Sequence, residues 1–83
     1  MFEVRLTRQP ARYVQRAPTS VRSALSKCFE KLEMDPFRVV EPLHGPLRGK
    51  WKVRVGGLRL IMEIEVDAQR IRILYIGPRG DAY

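Results

Sequence analysis

The chain has one cysteine, one histidine and one tryptophan, and nine acidic residues against sixteen basic ones. The lone Cys28 excludes an intrachain disulfide and a cysteine-based metal site. With only His44 to join it, no Cys–His cluster can hold a structural zinc, so neither metal nor cofactor is expected. No apolar run approaches the ~18 residues that span a bilayer. Residues 1–6 alternate like a strand and lack a leader pattern. The expectation is an intracellular, cytoplasmic protein with no membrane association. No Ser, Cys or His triad can be assembled, paired carboxylates for glycoside chemistry are missing, and so are phosphate-cradling glycine loops.

What remains is a small basic domain. At 83 residues the chain is one domain with a thin core. A net charge of +7 and a pI near 10.3 favour an anionic partner: nucleic acid, an acidic protein or an anionic surface. The organising stretch is residues 50–62, KWKVRVGGLRLIM, where basic and apolar residues alternate, break at Gly56-Gly57 and alternate again. Such alternation predicts two half-buried strands, and the glycine pair predicts a type I′ hairpin turn between them. Val55 then pairs with Leu58, Arg54 with Arg59, Val53 with Leu60 and Lys52 with Ile61. Trp51, Val53, Val55, Leu58, Leu60 and Met62 share the apolar face, while Lys52, Arg54 and Arg59 share the other. Arg54 directly opposite Arg59 costs a hairpin ~0.2–1 kcal/mol, and a cation cluster without a counter-ion awaits an anion. No Asp or Glu falls between Glu41 and Glu63, whereas Arg48, Lys50, Lys52, Arg54 and Arg59 all do.

Around this hairpin the order β-α-α-β-β-β is expected. Residues 2–6 form a strand. Thr7 caps a helix whose apolar stripe is Ala11, Tyr13, Val14 and Ala17, and which ends before Pro18. Thr19 or Ser20 begins a second helix that buries Val21, Leu25, Cys28, Phe29 and Leu32 and stops at Asp35-Pro36. Cys28 reads as a small buried residue. Residues 35–49, with three prolines and two glycines, read as loop, and His44 within them as solvated. A strand through Val66, a turn at 67–70 and a last strand at 71–76 complete an antiparallel meander. On strict alternation, Leu60, Met62, Ile64, Val66, Ile71, Ile73 and Tyr75 line the helix-facing side. Glu63 or Glu65 then faces Arg72, and Ile61, Leu74 and Ile76 lie on the outer side. The fold class is α+β: an N-terminal strand, a helical hairpin and a three-stranded meander, with the helices packed on one sheet face.

Residues 43–61, LHGPLRGKWKVRVGGLRLI, resemble the core pattern L-x-G…x-W-[RK]-[LV]-R-[VI]-G-x-[YL]-R-[LIV]-[IV] of the RelE/ParE toxin superfamily. The Asp35-Pro36 after the second helix and the ending I-L-x-I-G-x-R-x-x-x-Y are similar as well, so the resemblance spans essentially the whole chain. It implies a toxin neutralised by a cognate antitoxin. In the RelE branch it further implies ribosome-dependent cleavage of messenger RNA in the A site, through attack of a ribose 2′-hydroxyl on the adjacent phosphate. The ParE branch instead poisons DNA gyrase, and a plain basic RNA-binding module is a third reading. The resemblance carries catalytic roles onto Lys52, Arg54, Arg59, Arg79 and Tyr83, and RNA contacts onto Arg48, Lys50, Lys52, Arg54, Arg59 and Arg72. Lys52 is the candidate to assist removal of the 2′-hydroxyl proton, since arginine stays protonated. Arg54 and Arg59 would hold the scissile phosphate, Arg79 the leaving oxygen, and Tyr83 a base or the 2′-hydroxyl. Pro78 stands where many relatives carry a histidine before the final arginine, so no histidine acid–base is available there.

Overall fold

The computed structural model describes residues 1–79. Strand β1 (Glu3–Leu6) leads into helix α1 (Arg8–Arg16) and helix α2 (Thr19–Met34). Strand β2 (Glu41–Pro42) follows, then β3 (Trp51–Val55), β4 (Leu58–Glu65) and β5 (Arg70–Pro78). The expected α+β sandwich is present, with one strand more than the sequence suggests. Residues 35–49 are not all loop: two short 3₁₀ turns, Pro36–Arg38 and Gly45–Leu47, flank β2, which pairs antiparallel with β3. The five strands lie in the order β1-β5-β4-β3-β2, with β1 parallel to β5 and the rest antiparallel.

The helices cover one face because α2 has an apolar stripe to bury. Leu25, Cys28 and Leu32 meet Val53, Leu60, Met62, Ile71, Ile73 and Ile76 in a single core. Full burial of each Leu or Ile side chain contributes roughly 1.5–3 kcal/mol, so these few residues carry the domain. Cys28 is part of this core. Burial pushes its thiol up to about 11, against a smaller downward pull from Lys31, so it is a packing residue and not a nucleophile.

Several expectations need correction. Thr7 occupies the N-cap position of α1, but its hydroxyl makes no cap bond. It donates instead to the Ile73 carbonyl at 2.8 Å, tying the start of α1 to β5. Ala11 is exposed, and Pro10 takes the buried place on α1. Val66 lies past the end of β4 and is 57% exposed. The largest change is in β5. The β4–β5 register shifts between Ile61 and Met62, so that Ile61 pairs with Tyr75 while Met62 pairs with Ile73. Leu74 is the extra residue of a β-bulge, which reverses the alternation beyond it. Ile76, expected on the outer side, is therefore fully buried in the core. Tyr75, expected under the helices, belongs to the outer side.

Candidate anion-binding site

The hairpin forms with the register read from the sequence: Val55↔Leu58, Arg54↔Arg59, Val53↔Leu60 and Lys52↔Ile61. Only the turn type differs. Gly56 has φ +58°, while Gly57 is not in the left-handed region, which is the pattern of a type II′ turn. Trp51 packs against the core and meets Phe37 edge-on, with ring centroids 5.3 Å apart, so it is a packing residue.

The outer face of the sheet is ordered in rows. One row runs Glu41–Lys52–Ile61–Tyr75 across β2 to β5, and the next runs Arg54–Arg59–Gly77. Ile61 is fully buried even though it lies outside the helix-facing core. Arg79 continues from the second row. Its backbone N–H donates to the Gly57 carbonyl at 2.9 Å, which anchors it beside the hairpin turn. Lys52, Arg54, Arg59 and Arg79 thus gather toward one end of the sheet, while Arg48 is exposed on the loop before β3. Among the described residues none of these five makes an ion pair.

The charges behave differently at the other end. Glu63 accepts from Arg72 at 3.2 Å and lies 3.9 Å from the Lys50 ammonium, so two of the sequence-predicted RNA contacts are already paired. Arg70 is shared between Glu3 and Glu65, at 3.8 and 3.9 Å. Arg59 has a buried Nε without a hydrogen-bond partner, as Arg70 does, but unlike Arg70 it has no carboxylate beside it among the described residues. An unsatisfied buried donor costs roughly 1–3 kcal/mol, and more when charged, a cost that an acceptor arriving there, an anion above all, would offset.

Three features escaped the sequence. Glu41 faces Lys52 because β2 exists, and its signal was hidden in a proline-rich segment. Tyr75 comes to the outer face because of the bulge, and its hydroxyl end lies over Gly77, where a Cβ would overlap it. Gln9 reaches from α1 to Ile76: its side-chain oxygen accepts the Ile76 N–H at 2.9 Å, and its amide donates to the Ile76 carbonyl at 2.7 Å. It stands in for β1, which ends at Leu6 and leaves that stretch of β5 without a strand neighbour on this side. His44 is exposed and stands apart from these rows. Tyr83 lies outside the described residues. No group of His, Cys, Asp and Glu side chains able to hold a metal occurs among the described residues. No helix among them is long and apolar enough to cross a membrane.

Comparison with known proteins gives this geometry a family. The fold is similar to that in the toxin–antitoxin complex RelBE2 of Mycobacterium tuberculosis, at 29% identity and a TM-score of 0.84, covering 94% of this chain and 98% of that one. It also resembles the archaeal RelE–RelB complex of Pyrococcus horikoshii OT3, at 23% identity and a TM-score of 0.78, covering 98% of each chain. Over 55 residues, 66% of its length, the chain is 42% identical to Topoisomerase 1-associated factor 1 of Cryptococcus neoformans, but it spans only 5% of that protein. The family described as the ParE toxin of the type II toxin–antitoxin system, parDE, matches residues 4–83. The chain belongs to this family, and so to the RelE/ParE superfamily of type II toxin–antitoxin toxins.

Proposed function

We propose that this toxin is a metal-independent endoribonuclease that cuts messenger RNA in the ribosomal A site and so inhibits translation. The observation that carries the reading is the Arg54–Arg59 pair, set directly opposite with no carboxylate partner and with the Arg59 Nε buried without an acceptor. A toxin acting only through protein contacts has no need to bear that cost. In the reaction the 2′-oxygen bonds to the adjacent phosphorus and the bond to the 5′-oxygen breaks. The products are a 2′,3′-cyclic phosphate and a 5′-hydroxyl, and the 2′-hydroxyl proton ends on the leaving oxygen. Lys52 assists removal of that proton. Arg54 and Arg59 hold the phosphate and the charge it gains in the transition state. Arg79 steadies the leaving oxygen, and Tyr83 contacts a base or the 2′-hydroxyl. Arg48 adds attraction for the strand, while Lys50 and Arg72 contribute less because Glu63 already offsets them.

Its partners on this reading are the ribosome with its message and a cognate antitoxin that covers or dislodges elements near the basic face, with acidic residues and an amphipathic helix. The family match favours a second reading, since it carries the ParE name: a gyrase poison in which the basic cluster is idle. In-vitro translation of a defined message separates the two, with 5′ ends mapped by primer extension for wild type and Arg59→Glu in parallel. New ends inside A-site codons with wild type alone are expected. An intact message and undisturbed translation would overturn the nuclease reading and make gyrase supercoiling the next assay.

A further inference from the structure

The row Arg54–Arg59–Gly77 crosses β3, β4 and β5, and the element beyond it is a helix. β1 stops at Leu6, so beside Ile76 the edge of β5 is met by Gln9 of α1. Successive residues of a helix turn by about 100°, which sets Gln9 between two faces of α1. On one side of it, Pro10 is buried and Val14 packs against the core. Arg8 and Arg12 lie on the other side, toward the outer face of the sheet, and Arg16 falls almost in line with Gln9. All three arginines are exposed. Arg79, at the end of β5, stands between them and the Arg54–Arg59 pair.

These arginines are placed against the helix's own stability. They are spaced by four, so each repels the next along one side of α1, and like charges at that spacing destabilise a helix. No acidic residue occurs in α1 to separate them. Arg8 opens the helix, where the macrodipole disfavours a cation. Among the described residues none of the three makes an ion pair. Arg54 opposite Arg59 shows the same signature, cations grouped without a counter-ion. Beside them a cleft of about 430 Å³ opens, lined by Gln9, Arg12, Tyr13 and Arg16 with Pro18 and Val21, a size that suits a small ligand or one unit of a polymer.

We infer that α1 extends the anion site: a single RNA strand with one phosphate on Arg54 and Arg59 crosses the end of β5 past Arg79 and continues along α1, with further phosphates on Arg8, Arg12 and Arg16. This rests on the RNA reading above and gives its substrate a path. The α1 arginines touch the strand away from the bond that breaks, so they contribute affinity and direction, not chemistry. Phosphate contacts of this kind carry no sequence preference.

Fluorescence anisotropy of end-labelled RNA tests the path. The probes carry 2′-O-methyl groups and so cannot be cut through the 2′-oxygen. One is a dinucleotide and the other a single strand of about ten nucleotides. Wild type is expected to bind the long strand more tightly than the dinucleotide. Arg8→Gln, Arg12→Gln and Arg16→Gln together should leave dinucleotide binding unchanged and weaken the long strand about tenfold at low salt. The slope of log affinity against log salt should become shallower by about 0.7 per arginine, roughly 2 for all three. Arg12→Gln alone should give a third of that change. Arg22→Gln with Arg38→Gln, at exposed positions on elements off this path, should keep the wild-type slope. Glutamine suits a helix as well as arginine does, and unfolding curves check that each variant folds. Unchanged affinity and slope in the α1 variant would overturn the inference. Equal losses per charge from the Arg22 and Arg38 variant would also overturn it, reducing the effect to net charge. A loss confined to an RNA duplex of the same length, with the single strand unaffected, would overturn it by giving α1 to folded RNA. Wild type binding neither probe at any salt would instead overturn the RNA reading itself.

Discussion

Replacing Arg59 by methionine should make the protein more stable while removing its ability to hold an anion. Two costs disappear in the unliganded fold. Opposed like charges across β3 and β4 cost about 0.2–1 kcal/mol. The buried Arg59 Nε without a partner costs roughly 1–3 kcal/mol. Methionine keeps most of the apolar stem of the half-buried arginine, so little packing is lost. The two terms overlap, and a net gain of about 1–2 kcal/mol is the expectation. In a domain of this size that raises Tm by roughly 4–8 °C per kcal/mol. Urea unfolding followed by Trp51 fluorescence reads it directly, as a higher midpoint with an unchanged slope.

Anions should reverse the ranking. Inorganic phosphate stabilises whatever binds it, by about 2.7 kcal/mol at a hundred times its Kd, and Arg59→Met should lose most of that gain. Arg54→Met should stabilise less, since Arg54 is exposed and only the repulsion is relieved. The double variant should fall short of the sum, because one repulsion cannot be removed twice. Raising salt toward physiological strength should narrow the gap by screening the pair. A loss of more than about 1 kcal/mol in Arg59→Met, with equal phosphate stabilisation of variant and wild type, would show that Arg59 is a structural residue. The case for an anion site would fall with it.

Two further predictions concern the frame. Gln9→Ala leaves the Ile76 N–H and carbonyl without their partner and should cost roughly 1–3 kcal/mol in urea unfolding, with faster amide exchange at Ile76. Cys28 should make the fold alkali-sensitive: its folded pKa of about 11 lies above its ordinary 9.0, so its contribution is intact below pH 9 and lost as pH rises through 11. The loss should reach at most about 3 kcal/mol, and the difference in pH profile between wild type and Cys28→Ala isolates it from every other contribution to the alkaline limb.

The hairpin was legible because several signals agreed. The glycine pair fixed the turn, the alternation fixed the faces, and a one-residue slip would have put every cation under the helices. The apolar stripe of α2 and its stop at Asp35-Pro36 were legible for the same reason. The edge strand β2 was not, because two residues give no periodicity and Pro42 argues against a strand except at an edge. The bulge was beyond reach for a different reason. Ile73, Leu74, Tyr75 and Ile76 are apolar in both phases, so alternation through them carries no information about which face each takes. The contacts that decide it come from elsewhere in the chain: Gln9 holding Ile76, Thr7 holding Ile73, and Ile76 filling the core. Tyr75 was therefore assigned to the wrong face.

The distribution of carboxylates leaves the two ends of the sheet electrostatically unequal. Glu3, Glu63 and Glu65 gather with Arg5, Arg70, Arg72 and Lys50 at the end away from the Gly56-Gly57 turn. These pairs are substantially solvent-exposed, and such pairs contribute only about 0–1 kcal/mol each, so stability alone does not account for them. Their effect is on the field. They neutralise one end of a strongly basic face and leave Arg54 and Arg59 without a carboxylate partner at the other, where Glu41 stands across from Lys52. A polyanion meeting a uniformly basic sheet could bind in many registers. Meeting this one, it would be drawn to the end with fewer carboxylates, and there to Arg59, whose buried Nε has no hydrogen-bond partner among the described residues. The repulsion across the hairpin and the pairing far from it are two halves of the same arrangement, and together they give the basic face its asymmetry.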